Sequence, residues 1–191
     1  MQILVRHMSI TLLLCALSMA ISQATQAHLM PARHGTLNIV DDGAFMVLSL
    51  PISAFDGIDD DSDGKISMLE FNRHRSDLAQ SIRQKVTLED RQGSCSLHGI
   101  VFSPVTSHDS AEEPVSQLVV MGRFILNDSV SPLRFHIGLF GDPVAEQSLK
   151  ITATREDDNQ RAVFELSRDA SANVIFSDTT QNNHKPVVWF L

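Results

Sequence analysis

The sequence predicts a mainly-β domain, an antiparallel β-sandwich of the immunoglobulin-like kind, interrupted by one acidic loop and one amphipathic helix. Three observations predict it. Short runs rich in β-branched and aromatic residues recur along the chain, separated by clusters of Asp, Asn and Gly. Several runs alternate apolar and polar residues, the period of a strand buried on one face. A single stretch, residues 68–85, places its apolar residues at helical spacing instead.

Taken in order, residues 35–40 (GTLNIV) and 44–50 (AFMVLSL) flank Asp41, Asp42 and Gly43. This reads as a hairpin whose glycine supplies positive φ. Residues 86–90 (VTLED) and 94–102 (SCSLHGIVF) flank Arg91, Gln92 and Gly93 in the same way. Residues 116–126 (SQLVVMGRFIL) and 133–140 (LRFHIGLF) flank a loop with Asn127, Asp128 and Pro132. Residues 148–156 (SLKITATRE) and 161–167 (RAVFELS) surround Asp157, Asp158 and Asn159. The runs NVIFS at 173–177 and PVVWFL at 186–191 complete the strands, and the polar, acidic residues 104–114 read as an exposed loop. In the helical stretch Phe71, Leu78 and Ile82 form one narrow stripe, covered on the other side by Arg73, Arg75, Asp77, Gln80, Arg83 and Gln84.

Ahead of this domain, Arg6 and His7 precede a nearly unbroken apolar run over residues 10–21, then Ser22, Gln23, Ala24, Thr25, Gln26 and Ala27. A charged start, a greasy core and a small-residue site are the parts of a secretory signal peptide, here residues 1–27. The run is shorter than the roughly 20 residues a spanning helix needs, so cleavage is expected rather than an uncleaved anchor. Three leucines, not a small residue, precede Cys15, so no lipid anchor is expected. The expected mature protein is one domain, residues 28–191, outside the cytoplasm, in the periplasm or secreted. No later segment is apolar enough to cross a membrane. The formal net charge of −8 becomes −9 without Arg6, the signal's single lysine or arginine. An acidic surface argues against nucleic acid as a partner. Of the two cysteines only Cys95 survives cleavage, so the domain cannot rely on an internal disulfide; the thiol reads as buried and inert.

Residues 59–70 read DDDSDGKISMLE. A hard divalent cation such as Ca²⁺ takes six to eight oxygens, and a loop presents them when alternate residues point inward. Asp59, Asp61 and Asp63 stand at positions one, three and five, and Gly64 at six, where the chain must bend. Lys65 offers its carbonyl at position seven, Ser67 acts at nine through a water, and Glu70 closes the loop at twelve. Ile66, at eight, ties the loop to the core. Every position of an EF-hand calcium loop is filled, whereas an acidic turn needs neither Gly64 nor Glu70. Magnesium, which prefers a rigid octahedron and keeps its waters, fits less well. A helix follows the loop, but only one short helical turn near Ser53 is expected before it, and no second loop is present to pair with it. An unpaired loop favours a structural role over a sensor role.

His28 would lead the mature chain, and its amino group and imidazole, with His34, could clasp copper or nickel. That is the alternative reading, a transition-metal or accessory protein with a membrane partner. His74, His98, His108, His136 and His184 show no metal-like spacing, and His136, between Phe135 and Ile137, is expected to face solvent. The chain has no GxSxG, no HExxH and no tyrosine, so no enzyme is expected.

The order of these features resembles the extracytoplasmic N-terminal region of the HupE/UreJ family, membrane proteins related to nickel and cobalt permeases. The resemblance runs from Ala27 and His28 through the 59–70 loop and its basic-rich helix, Gly93 and Cys95 in VTLEDRQGSCSLHG, and LRFHIGLFGDP, to about Phe176. It implies a β-sandwich with a calcium-loop insertion outside the cytoplasmic membrane. The family's transmembrane helices have no counterpart up to Leu191, so transport is not carried over. Nor is there a second mature cysteine to pair with Cys95.

Overall fold

A computed structural model describes residues 31–106 and 113–177. The signal segment, His28 and the expected strand 186–191 lie outside the described residues. Two sheets face one another. The larger has six strands in the order β5-β6-β2-β1-β8-β9: Ser96–Thr106, Val115–Ile125, Gly43–Pro51, His34–Val40, Ser148–Arg155 and Gln160–Ser167. The smaller has four in the order β10-β7-β3-β4: Ala172–Ile175, Leu133–Ile137, Val86–Asp90 and Gly93–Ser94. The mainly-β sandwich is therefore present, with one departure from antiparallel pairing: β1 runs parallel to β8, His34 opposite Lys150 through Ile39 opposite Arg155.

Alternation builds the core. Leu37 and Ile39 of β1, Ala44, Met46, Leu48 and Leu50 of β2, Leu118, Val120 and Phe124 of β6, and Leu149, Ile151 and Ala153 of β8 are all buried. Leu133, Phe135 and Ile137 of β7 meet them from the smaller sheet, as do Val86 and Leu88 of β3. Phe124 and Phe135 join the layers edge to face, with ring centroids 6.5 Å apart.

Several local readings are corrected. In the first hairpin positive φ falls on Asp41 (51°), not on Gly43; a Cβ at Gly43 would meet only the guanidinium end of the flexible Arg123 side chain, which can shift. Gly93 does take positive φ, at 125°. The run 94–102 is not one strand: β4 ends at Ser94, and the chain crosses to the larger sheet at Cys95, whose N–H donates to the Leu88 carbonyl (2.8 Å). Residues 104–106 belong to β5 rather than to a loop. The single expected helix is two, α1 (Met68–Arg73) and α2 (Arg75–Lys85), with His74 at φ −95°, ψ 15° between them. The predicted stripe holds across the break, since Phe71, Leu78 and Ile82 are fully buried.

Candidate metal centre

The loop starts where β2 ends. Pro51 stops the strand, and Ile52–Ala54 form one 3-10 turn, as little helix as the sequence leads one to expect. Three apolar anchors then clip the loop to the sandwich. Ile58 is buried just before it, Ile66 within it and Phe71 just after it. The Ile66 carbonyl also accepts the Val115 N–H (2.8 Å), the first of β6. The loop thus hangs from the larger sheet by a backbone bond.

Between the anchors the chain turns through left-handed residues at Ser62 (φ 59°) and Gly64 (φ 80°). Glycine suits the second of these bends because it carries no Cβ penalty there. Short hydrogen bonds order the turn. Gly64 N–H donates to Asp59 Oδ2 (2.9 Å), Asp63 N–H to Asp61 Oδ1 (3.2 Å) and Lys65 N–H to Asp63 Oδ1 (2.7 Å). The result gathers the first three expected ligands: one carboxylate oxygen each from Asp59, Asp61 and Asp63 lie within 4.8 Å of one another. Asp59 Oδ1 is buried and has no hydrogen-bond partner. A buried, unpaired carboxylate oxygen is costly unless something positive meets it. A cation drawn to the three aspartates would do so, and the donor set, all hard oxygen, suits calcium chemistry.

Glu70 is placed differently. It does not join the aspartate cluster. Its Oε1 accepts the Asp60 N–H (2.8 Å), and its Oε2 accepts both the N–H and the hydroxyl of Ser67 (2.8 Å each). Ser67 Oγ in turn accepts the Glu70 N–H (3.2 Å), so the two residues form a capping box at the start of α1. The Ser67 N–H, the Ser67 hydroxyl and the Asp60 N–H hold the Glu70 carboxyl below its ordinary range, against the opposing effect of burial. The spacing Ser67-x-x-Glu70 carries this signal in the sequence as openly as the ligand pattern, and sequence reasoning passed over it. Lys65 is exposed, and its N–H serves the turn.

Asp60 turns away from the cluster, as its even position requires. It pairs with Arg73 and, through Oδ1, with His74 Nε2 (2.8 Å). His74 Nδ1 meets Asp77 Oδ2 at 3.1 Å. Hydrogen bonds to Asp60 first and then Asp77 raise the imidazole above its ordinary value, while the His74 contact first and Arg73 second lower Asp60. This brace ties the loop to the junction of α1 and α2. Asp60 lies thirteen and fourteen residues before its partners Arg73 and His74, and no local pattern reveals that pairing.

The remaining expectations resolve simply. His136 is half-buried on the outer face of the smaller sheet, between buried Phe135 and Ile137. Cys95 is buried against Asp90, its Sγ 3.5 Å from Asp90 Oδ2, and burial pushes the thiol up to about 11. Asp90, which sequence reasoning did not single out, accepts the N–H groups of Gln92, Asn127 and Asp128. Burial works against its charge, and these donors more than offset it. A scan against protein-family models and a search of curated proteins returned no match to this chain.

Proposed function

We propose that this domain binds one calcium ion in the 59–70 loop and that the ion acts mainly as a structural element of an exported, non-enzymatic protein. One observation carries the reading: oxygens of three aspartates converge within 4.8 Å, and Oδ1 of one of these residues, Asp59, is buried with no partner. Asp59, Asp61 and Asp63 would supply the first oxygens, with Lys65 through its carbonyl, Ser67 and Glu70 completing the set that the loop pattern specifies. The location outside the cytoplasm, in the periplasm, rests on the signal-like residues 1–27, and the resemblance to the HupE/UreJ extracytoplasmic region agrees with it. No helix among the described residues is long and apolar enough to cross a membrane.

Calorimetric titration of the exported form with calcium, magnesium, copper and nickel tests the reading. One calcium per chain is expected, at the weak end typical of extracellular modules, roughly 10⁻⁴–10⁻³ M. Glu70→Gln should weaken binding far more than Asp60→Asn. Equal effects of the two changes, or tight copper or nickel binding without calcium binding, would reject it.

A further inference from the structure

Four strands end the two sheets, and three of them are poor platforms for another strand. β4 has two residues and β10 four. β5 is long, but its pairing with β6 is broken between His98 and Val101, Gly99 there sits at φ 62°, and Pro104 follows. β9 has no such device. Its eight residues pair without irregularity to β8, and no described strand lies on its other side.

Alternation decides which backbone groups of β9 face that open side. In a strand the N–H and C=O of one residue point to the same side, and those of the next residue to the other. Lys150 of β8 donates its N–H to the Arg33 carbonyl (3.0 Å), away from its register partner Glu165. Ser167, at the end of β9, exchanges both backbone bonds with Ala170 (3.1 Å each) rather than with its register partner Ser148. Arg161, Val163 and Glu165 are in step with Ser167, so their N–H and C=O groups lie along the open edge. Their side chains share the outer face of the sheet, and all three are exposed.

Charges on an edge strand ordinarily discourage pairing. Here they are of opposite sign and stand symmetrically, two residues to either side of Val163. Neither Arg161 nor Glu165 makes an ion pair among the described residues. A second copy of β9, antiparallel and with Val163 opposite Val163, sets each Arg161 against the other copy's Glu165. Every outward N–H then meets an outward C=O. A shift of two residues either way puts one charge against Val163 and the other against Asn159 or Ser167, so the charges select a single register. On the core side Ala162 and Phe164 are only partly buried, and this register sets the small side chain of one copy against the large one of the other. We infer that β9 is the interface of a two-fold homodimer, joining two six-stranded sheets edge to edge about Val163 through reciprocal Arg161–Glu165 pairs. Such a contact is self-complementary and closes at two copies. Five residues a side cover less than the roughly 1,200 Å² of a standard interface, so the association is weak, and its exposed ion pairs make it salt-sensitive.

Sedimentation velocity of the exported form, from micromolar to millimolar concentration, should show a monomer–dimer equilibrium that weakens as salt rises. Arg161→Glu and Glu165→Arg alter exposed residues and should leave far-UV circular dichroism native. Each alone creates two like-charged pairs and should raise the dimer Kd on the order of tenfold. An equimolar mixture of the two variants restores two opposite-charge pairs and should recover the dimer, as should the double variant. A wild-type chain that stays monomeric throughout, a dimer indifferent to either variant, or a mixture no more associated than its components would overturn the proposal. Amides of residues 161, 163 and 165 that stay protected in the dilute monomer would give this edge to another part of the same chain and overturn it equally.

Discussion

Calcium should raise the melting temperature of this domain, and the size of the effect can be worked from the loop. The three aspartate oxygens lie within 4.8 Å of one another. Unit charges at that separation repel by about 0.9 kcal/mol per pair in bulk water, or about 2.6 kcal/mol for three pairs. Physiological salt roughly halves this. The metal-free loop therefore carries a penalty on the order of 1–3 kcal/mol, which a bound cation removes. Independently, binding to the folded state alone adds RT ln(1 + [Ca²⁺]/Kd), about 2.7 kcal/mol at a hundredfold excess over Kd. For a domain of this size each kcal/mol shifts the midpoint by about 2–4 °C, so the expected rise is roughly 5–11 °C. Scanning calorimetry in a chelator, in calcium and in magnesium measures it. Asp59→Asn and Asp63→Asn should each shrink the calcium gain while leaving the chelated midpoint unchanged or slightly raised. Magnesium matching calcium at equal concentration would refute the reasoning. So would a gain that persists in both variants, or a calcium-dependent increase in hydrophobic-dye binding, which would mark a sensor.

Three further outcomes are expected. Phe71→Ala should cost about 3–5 kcal/mol in urea unfolding, since Phe71 is fully buried behind the loop; a loss below about 1 kcal/mol would mean that the helix is not anchored there. In chelator, stability should fall as pH rises from 6.5 through the raised His74 value, because the imidazolium held by Asp60 and Asp77 is then lost. Asp60 has the opposite sign, contributing above 3.8 and losing its contribution as pH falls through its lowered value, so the brace is complete between 3.8 and 6.5. A thermal-melt series on His74→Gln should show a flatter profile above 6.5, and an unchanged profile would reject the brace. Native Cys95, with its thiol pushed up to about 11, should resist iodoacetamide at pH 8 until the domain unfolds, and rapid native alkylation would contradict its burial.

What the sequence revealed was local. Turn chemistry located the 41–43, 91–93 and 157–159 hairpins, because Asp, Asn and Gly favour the bends there whatever the chain does elsewhere. The helical stripe was legible because periodicity survives a kink. What stayed hidden depends on distance in the chain. The parallel pairing of β1 with β8 joins residues more than a hundred positions apart, and no run of residues encodes it. The crossing between sheets at Cys95 looks like continuous strand, since both halves have strand composition. The break at His74 falls where its ring meets carboxylates fourteen residues before and three residues after it. Within the loop, the ligand pattern gave Glu70 one use, as a ligand, where the structure gives it a cap.

That second use bears on how strongly the loop can hold an ion and on what the ion can do. Both Glu70 oxygens already accept hydrogen bonds, from the Asp60 N–H and from the Ser67 N–H and hydroxyl. A cation drawing on Glu70 competes with these three donors, which also start α1. Competition of this kind lowers affinity, so a weak site follows from the capping box as well as from the absence of a paired loop among the described residues. The same bonds argue against a switch. The loop is fastened to the sheet by Ile66 and Val115, to the helix junction by Asp60 and His74, and to the core by Ile58 and Phe71. The side entering it has only the 3-10 turn Ile52–Ala54. With no second helix to swing, no groove can open. The free energy of binding can only tighten contacts already made, and its effect should be confined to residues 59–82, where metal-free amides should exchange faster while the strands stay protected.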